Sequence, residues 1–79
     1  MNQPISVDCT IFSDGRVRVR RVRLGGSWRM VEQGRQWQNA AGQHVLVLLP
    51  GQQVTELLLS AQTLTWEIIP RLPGDPPIT

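Results

Sequence analysis

Five arginines fall within eight residues, Arg16, Arg18, Arg20, Arg21 and Arg23, and their type and spacing suit a chemical task better than anything else in this chain. Every cation of the sequence is an arginine; there is no lysine. A planar, forked guanidinium matches phosphate and carboxylate oxygens in a way that the point charge of an ammonium does not. Alternate residues of an extended strand stand about 6.6–7 Å apart on one face. Arg16, Arg18 and Arg20 would then form a stripe able to follow a phosphodiester backbone, each neutralised phosphate adding a salt-dependent increment of affinity. Phe12, just upstream, would be placed to stack a base. The same residues also admit a purely structural reading. Asp8 would pair with Arg20 across the hairpin, Phe12 would take the Arg16 guanidinium, and the charges would guard an exposed strand against edge-to-edge pairing.

Other chemistry is thinly supplied. With one cysteine and one histidine there is no internal disulfide and no four-ligand zinc set. His44 opens the most apolar segment with no cysteine, serine or carboxylate beside it in sequence, so it reads as a structural or rim residue. It becomes a catalytic candidate only where the fold brings a carboxylate to it in a pocket. The six acids are scattered, and a cross-strand pair such as Glu56 and Glu67 is not selected by spacing. No glycine cluster forms a phosphate-cradling loop that opens a helix. Cys9, flanked by Asp8 and Thr10, reads as a small buried hydrophobe. The expectation is a non-enzymatic chain with no catalytic residues, no metal, no cofactor and no evident small-molecule ligand.

The elements that must carry the arginines are strands. Ile5, Val7, Cys9 and Ile11 recur at period two. Ser13-Asp14-Gly15 then suits a three-residue hairpin loop, which sets Ile11 opposite Val17, Thr10 opposite Arg18, Cys9 opposite Val19 and Asp8 opposite Arg20. A two-residue loop would instead put Ile11 and Cys9 opposite arginines. The apolar phase slips between Val19 and Val22, and the adjacent Arg20 and Arg21 absorb it as a β-bulge that restores Val7 opposite Val22 and Ile5 opposite Leu24. A Gly25-Gly26-Ser27 loop would next pair Leu24 with Trp28 and Val22 with Met30, keeping the large apolar groups on one face.

Residues 33–43, rich in glutamine and with Trp37 as their only large apolar group, read as a long connection with room for a short strand or turn. Gln43 to Leu49 is apolar on both faces and is the candidate central strand. Val54 to Leu59 follows as a strand, with a short helix capped by Thr55 as the alternative, and Leu64 to Ile69 closes the set. Trp28, Trp37 and Trp66 alternate with apolar groups and read as core, at least one of them at a rim because its ring N–H needs a partner.

The 79 residues bound one domain, and a chain of this length buries only about 60–65% of its unfolded surface. The expected architecture is all-β: five or six antiparallel strands in a meander bent at Arg20-Arg21 into a small barrel or curled sheet, spanning residues 1–69. Pro70, Pro73, Pro76 and Pro77 cannot extend a sheet ladder, so residues 70–79 read as a disordered tail. Met1-Asn2-Gln3-Pro4 has no basic leader, and the longest apolar run, Val45 to Leu49, is far short of a membrane span; a cytoplasmic location is expected.

Val22-x-Leu24-Gly25-Gly26-Ser27-Trp28-Arg29-Met30, then Trp37, Val45-Leu46-Val47, Thr55-Glu56-Leu57 and Trp66-Glu67-Ile68 follow a familiar spacing. The segment resembles a small bacterial domain of unknown function that occurs alone or appended to the C-terminus of translesion-type DNA polymerases. Val22 and Leu24 stand where that family carries aromatics, and Trp28 and Thr55 where it carries tyrosines. The resemblance implies a compact β module, no catalytic residues to transfer, and nucleic acid or a DNA-repair protein as partner. The sequence also supports a second function class, a protein-interaction or homo-oligomer module using exposed edges and apolar surface around Trp28 or Leu57-Leu58-Leu59.

Overall fold

The computed structural model describes residues 3–69 and is all β, with eight strands in two antiparallel sheets. β1 (Gln3–Pro4), β8 (Trp66–Ile69), β7 (Gln53–Ser60), β6 (Gly42–Leu49) and β5 (Glu32–Asn39) lie in that order in a five-stranded sheet. β2 (Val7–Ile11), β3 (Val17–Leu24) and β4 (Ser27–Met30) make a three-stranded one. No helix among the described residues is long and apolar enough to cross a membrane. The segment 53–60 is strand, not helix, and it occupies the middle of the larger sheet; the apolar β6 is its interior neighbour. Residues 70–79, the expected tail, lie outside the described residues.

The expected five or six strands are eight because the chain changes sheet twice. At the first corner the Ile5 N–H donates to Trp66 C=O in the five-stranded sheet, whereas Ser6 C=O accepts from Arg23 N–H in the other. Ile5 is therefore not opposite Leu24: the period-two pattern ran on past a point where the strand exchanges partners. At the second corner, between β4 and β5, the Val31 N–H donates to Arg20 C=O at the bulge. Residues 32–39, expected to be a connection, are a full strand. The two sheets pack face to face over Val17, Val19, Val22, Val45, Val47 and Leu57, and among the described residues no closed barrel of paired strands joins them. Each such buried side chain contributes roughly 1.5–3 kcal/mol of transfer free energy.

The first hairpin has the expected register: Ile11 opposite Val17, Thr10 opposite Arg18, Cys9 opposite Val19 and Val7 opposite Val22. The bulge falls where the phase slips, but Asp8 stands opposite Arg21, leaving Arg20 as the extra residue. The second hairpin differs. Gly25 and Gly26 both have positive φ, 56° and 82°, the geometry of a two-residue type I′ turn. This shifts pairing by one, so that Leu24 faces Ser27, Arg23 faces Trp28, Val22 faces Arg29 and Arg21 faces Met30. A one-residue shift moves every side chain to the other face. Trp28 and Met30 accordingly lie on the arginine side and not in the core.

Two glutamines of β5 form a seam between the sheets. β4 pairs only with the second half of β3, so the edge at Val17 and Val19 has no neighbouring strand. Residues three apart on a regular strand point to opposite faces, but β5 carries a register shift between Gln33 and Gln36 that brings both onto the inner side, opposite Val47 and Val45. The Val17 N–H donates to Gln36 Oε1 (2.9 Å) and the Val19 N–H to Gln33 Oε1 (2.6 Å), while both side-chain amides donate to Val17 C=O. The amides thus stand in for a missing strand. Removing either leaves a backbone N–H unpaired at a cost of about 1–3 kcal/mol. The Gln33→Leu and Gln36→Leu pair is expected to lose more stability together than the sum of the singles, because the Val17 carbonyl loses its last donor only in the double variant. A denaturant double-mutant cycle checks this; additive losses would mean the seam carries no such shared acceptor.

Candidate nucleic-acid interface

β3 directs Val17, Val19 and Val22 inward and Arg18, Arg20, Arg21 and Arg23 outward, with Arg16 exposed just before it, the bulge allowing two consecutive arginines to be exposed. Asp8 holds two of them. Arg20 Nη2 lies 3.1 Å from Asp8 Oδ1 and Arg21 Nη2 3.0 Å from Oδ2, and Arg20 also donates to Thr10 Oγ1. The hydrogen bonds from Arg20 and then Arg21 hold the Asp8 carboxyl below its ordinary value near 3.8. A carboxylate depressed in the folded state adds stability above its unfolded value and loses it as pH falls through the folded one. For this solvent-facing pair the contribution is small and screened by salt. Arg16, Arg18 and Arg23 form no ion pair among the described residues.

The same face carries flat and apolar side chains. Phe12 is 51%, Trp28 44% and Met30 71% exposed. The Arg21 guanidinium lies 5.3 Å from the Trp28 ring centroid, so cation and ring are interleaved across the sheet. The ring contacts of guanidinium groups among the described residues are Arg21 with Trp28 and Arg35 with Trp37, rather than Arg16 with Phe12. Trp28 and Met30, expected on the core face, are instead on the candidate face; of the two, only Trp28 was also named from sequence as the centre of an exposed apolar surface. The signal that would have found them is the Gly25-Gly26 dipeptide itself, a strong two-residue turn. Beyond the edge of β3 the surface continues into an open groove of about 1150 Å³, whose lining includes Arg16, Arg18, Gln33, Gln36, Trp37 and Gln43.

On the other side of the five-stranded sheet the fold brings together residues that are far apart in sequence. His44, nearly buried, has Nδ1 2.8 Å from Glu56 Oε2 and Nε2 2.9 Å from Asn39 Oδ1, and its ring stacks on Trp37 at 5.0 Å with 3° between planes. The Ala41 N–H donates to the same Asn39 oxygen, which fixes the amide's orientation. The carboxylate that sequence spacing did not supply is therefore present. Both ring nitrogens are engaged, however, and neither has a free lone pair directed at a substrate, as a general base requires. Glu56 stands opposite Leu46 and Ile69, and Glu67 opposite Leu58; they share a face but do not pair directly across strands. No group of three His, Cys, Asp or Glu side chains placed to hold a metal forms among the described residues. Cys9 is half-buried against the core, and burial raises its thiol above the ordinary value. Leu57 and Leu58 are buried within the interior strand β7 and offer no exposed patch.

No protein-family model, curated protein or solved structure matches the chain.

Proposed function

We propose that the chain is a non-catalytic binding module whose three-stranded sheet presents Arg16, Arg18, Arg20, Arg21 and Arg23 to nucleic-acid phosphates, with Trp28 and Phe12 as stacking planes. The observation that carries this reading is the interleaving of outward arginines, three of them without an ion pair among the described residues, with exposed rings on one face. Basic rows supply salt-dependent affinity and aromatic planes take bases of any sequence. The resemblance of Val22 to Ile69 to a repair-associated domain adds DNA repair as the setting. The test is fluorescence anisotropy with labelled oligonucleotides at low and moderate salt; flat curves at high micromolar protein would remove the reading.

Asp8 competes with phosphate for Arg20 and Arg21. Asp8→Asn is therefore expected to tighten binding by roughly fivefold, since two exposed ion pairs of about 0.2–1 kcal/mol each no longer have to be broken. Weaker or unchanged affinity in the same titration would place the phosphates elsewhere.

A second reading is favoured by one observation: β4 is an edge strand bearing the exposed Trp28 and Met30. Another copy pairing there would make a homo-oligomer and cover the arginines. Light scattering that gives a strict monomer would remove it.

A further inference from the structure

We infer that the groove between β3 and β5 takes an unstacked base of a single strand, so that the module distinguishes single-stranded from duplex nucleic acid; this rests on the phosphate-binding reading above. The lining of the groove is mixed in charge with cations in excess: Arg16, Arg18, Arg20, Arg21 and Arg35 against Asp8, Asp14 and Glu32. Trp37 adjoins the groove, but its ring stacks on His44 on the far side of the five-stranded sheet and carries the Arg35 guanidinium 5.3 Å from its centroid, so it is no stacking plane for a base in the groove. Gln43 also lines it. That residue is 8% exposed, its Nε2 donates to Gln36 Oε1 at 2.7 Å, and its Oε1 is buried with no hydrogen-bond partner among the described residues.

A buried acceptor left unpaired is uncommon in folded proteins and calls for an explanation. The glutamine seam accounts for every other amide atom of Gln33, Gln36 and Gln43 that reaches the β3 edge, and leaves this one oxygen over. Base edges carry N–H donors, which supply what Gln43 Oε1 lacks, while the sugar-phosphate chain on either side meets Arg16 and Arg18. Bases of a duplex are paired and stacked, and turn neither their donors nor their faces to a groove or to the exposed rings of Phe12 and Trp28. A single strand offers both.

The experiment compares three labelled ligands of equal length on the unaltered protein: a mixed-sequence single strand, its duplex, and an abasic strand with the same phosphates. The single strand is expected to bind at least tenfold more tightly than either of the others, and Gln43→Leu to narrow that margin while leaving the abasic strand unchanged. Equal affinity for all three would overturn the groove inference and leave the phosphate reading standing. Absence of binding to any of them would overturn the phosphate reading itself. The comparison on the unaltered chain decides the matter even where Gln43→Leu does not fold.

Discussion

Replacing Arg16, Arg18 and Arg23 together by serine is expected to weaken binding of a single-stranded oligonucleotide by roughly 10²-fold at about 50 mM salt, with little change in thermal midpoint. These three are the ladder arginines that form no ion pair among the described residues, so on the proposed reading they would meet phosphate without first releasing a partner. Taking about 1 kcal/mol for each solvent-exposed contact, the net worth of an ordinary hydrogen bond, three such losses amount to a little over two decades at about 1.4 kcal/mol per decade. Stability should barely respond, because exposed substitutions away from packed or strained positions stay within about 0.5 kcal/mol. Arg29 provides the control. It is exposed on the same hairpin but stands opposite Val22, on the side turned away from Trp28 and Met30, and Arg29→Ser should leave affinity nearly unchanged. If Arg29→Ser weakens binding as much as each ladder replacement, the contact is diffuse charge attraction and the sheet face has no special role.

The largest effect on stability is expected at Gly42. It begins β6 with φ 141°, where the chain turns back from β5 and pairs with Ser60 of β7. A Cβ there would run into the Leu59 carbonyl oxygen and would lie 2.9 Å from Ala61 N, both backbone atoms of the neighbouring strand and turn that cannot swing aside as a side-chain tip would. Gly42→Ala thus combines backbone strain of about 1–3 kcal/mol with overpacking of about 1–3 kcal/mol. A domain of this size holds only about 0.05–0.15 kcal/mol per residue, so a loss near 3 kcal/mol or more removes much of its stability. Each kcal/mol shifts the midpoint of a 60–100-residue domain by about 4–8 °C. Gly26→Ala separates the two causes: its φ is 82° and nothing lies within 4 Å of an added Cβ, so it should cost only the strain. Calorimetry on both variants measures the difference, and equal losses would mean that the crowding at Gly42 relaxes without consequence.

Much of the arginine hairpin was legible because its signals are local. The slip between Val19 and Val22 marks a bulge, and Ser13-Asp14-Gly15 sets the register from Ile11 and Val17 down to Cys9 and Val19. What escaped depends on partners distant in sequence. Residues 32–39 look like a connection because Gln33 and Gln36 are polar, and no periodicity reveals that their amides replace a strand along Val17 and Val19. Ile5 continues the alternation of β2 although its N–H belongs to Trp66 in the other sheet. His44 meets Glu56 only because β6 and β7 are neighbours. The exposed placement of all five arginines and of Phe12 was readable. Trp28 and Met30 were assigned to the core face, since one extra residue given to the Gly25-Gly26 turn shifted their register, although the alternative interaction surface had included Trp28.

The salt dependence of single-strand binding tests the central claim most directly. Each phosphate neutralised on a single strand contributes about −0.7 to the slope of log K against log salt. The unaltered protein, engaging three to five phosphates, should give a slope of roughly −2 to −3.5, and the Arg16, Arg18 and Arg23 triple variant a slope shallower by about 2. A slope that the triple variant leaves unchanged, or no binding at low salt, would contradict the assignment of this face to nucleic-acid phosphates.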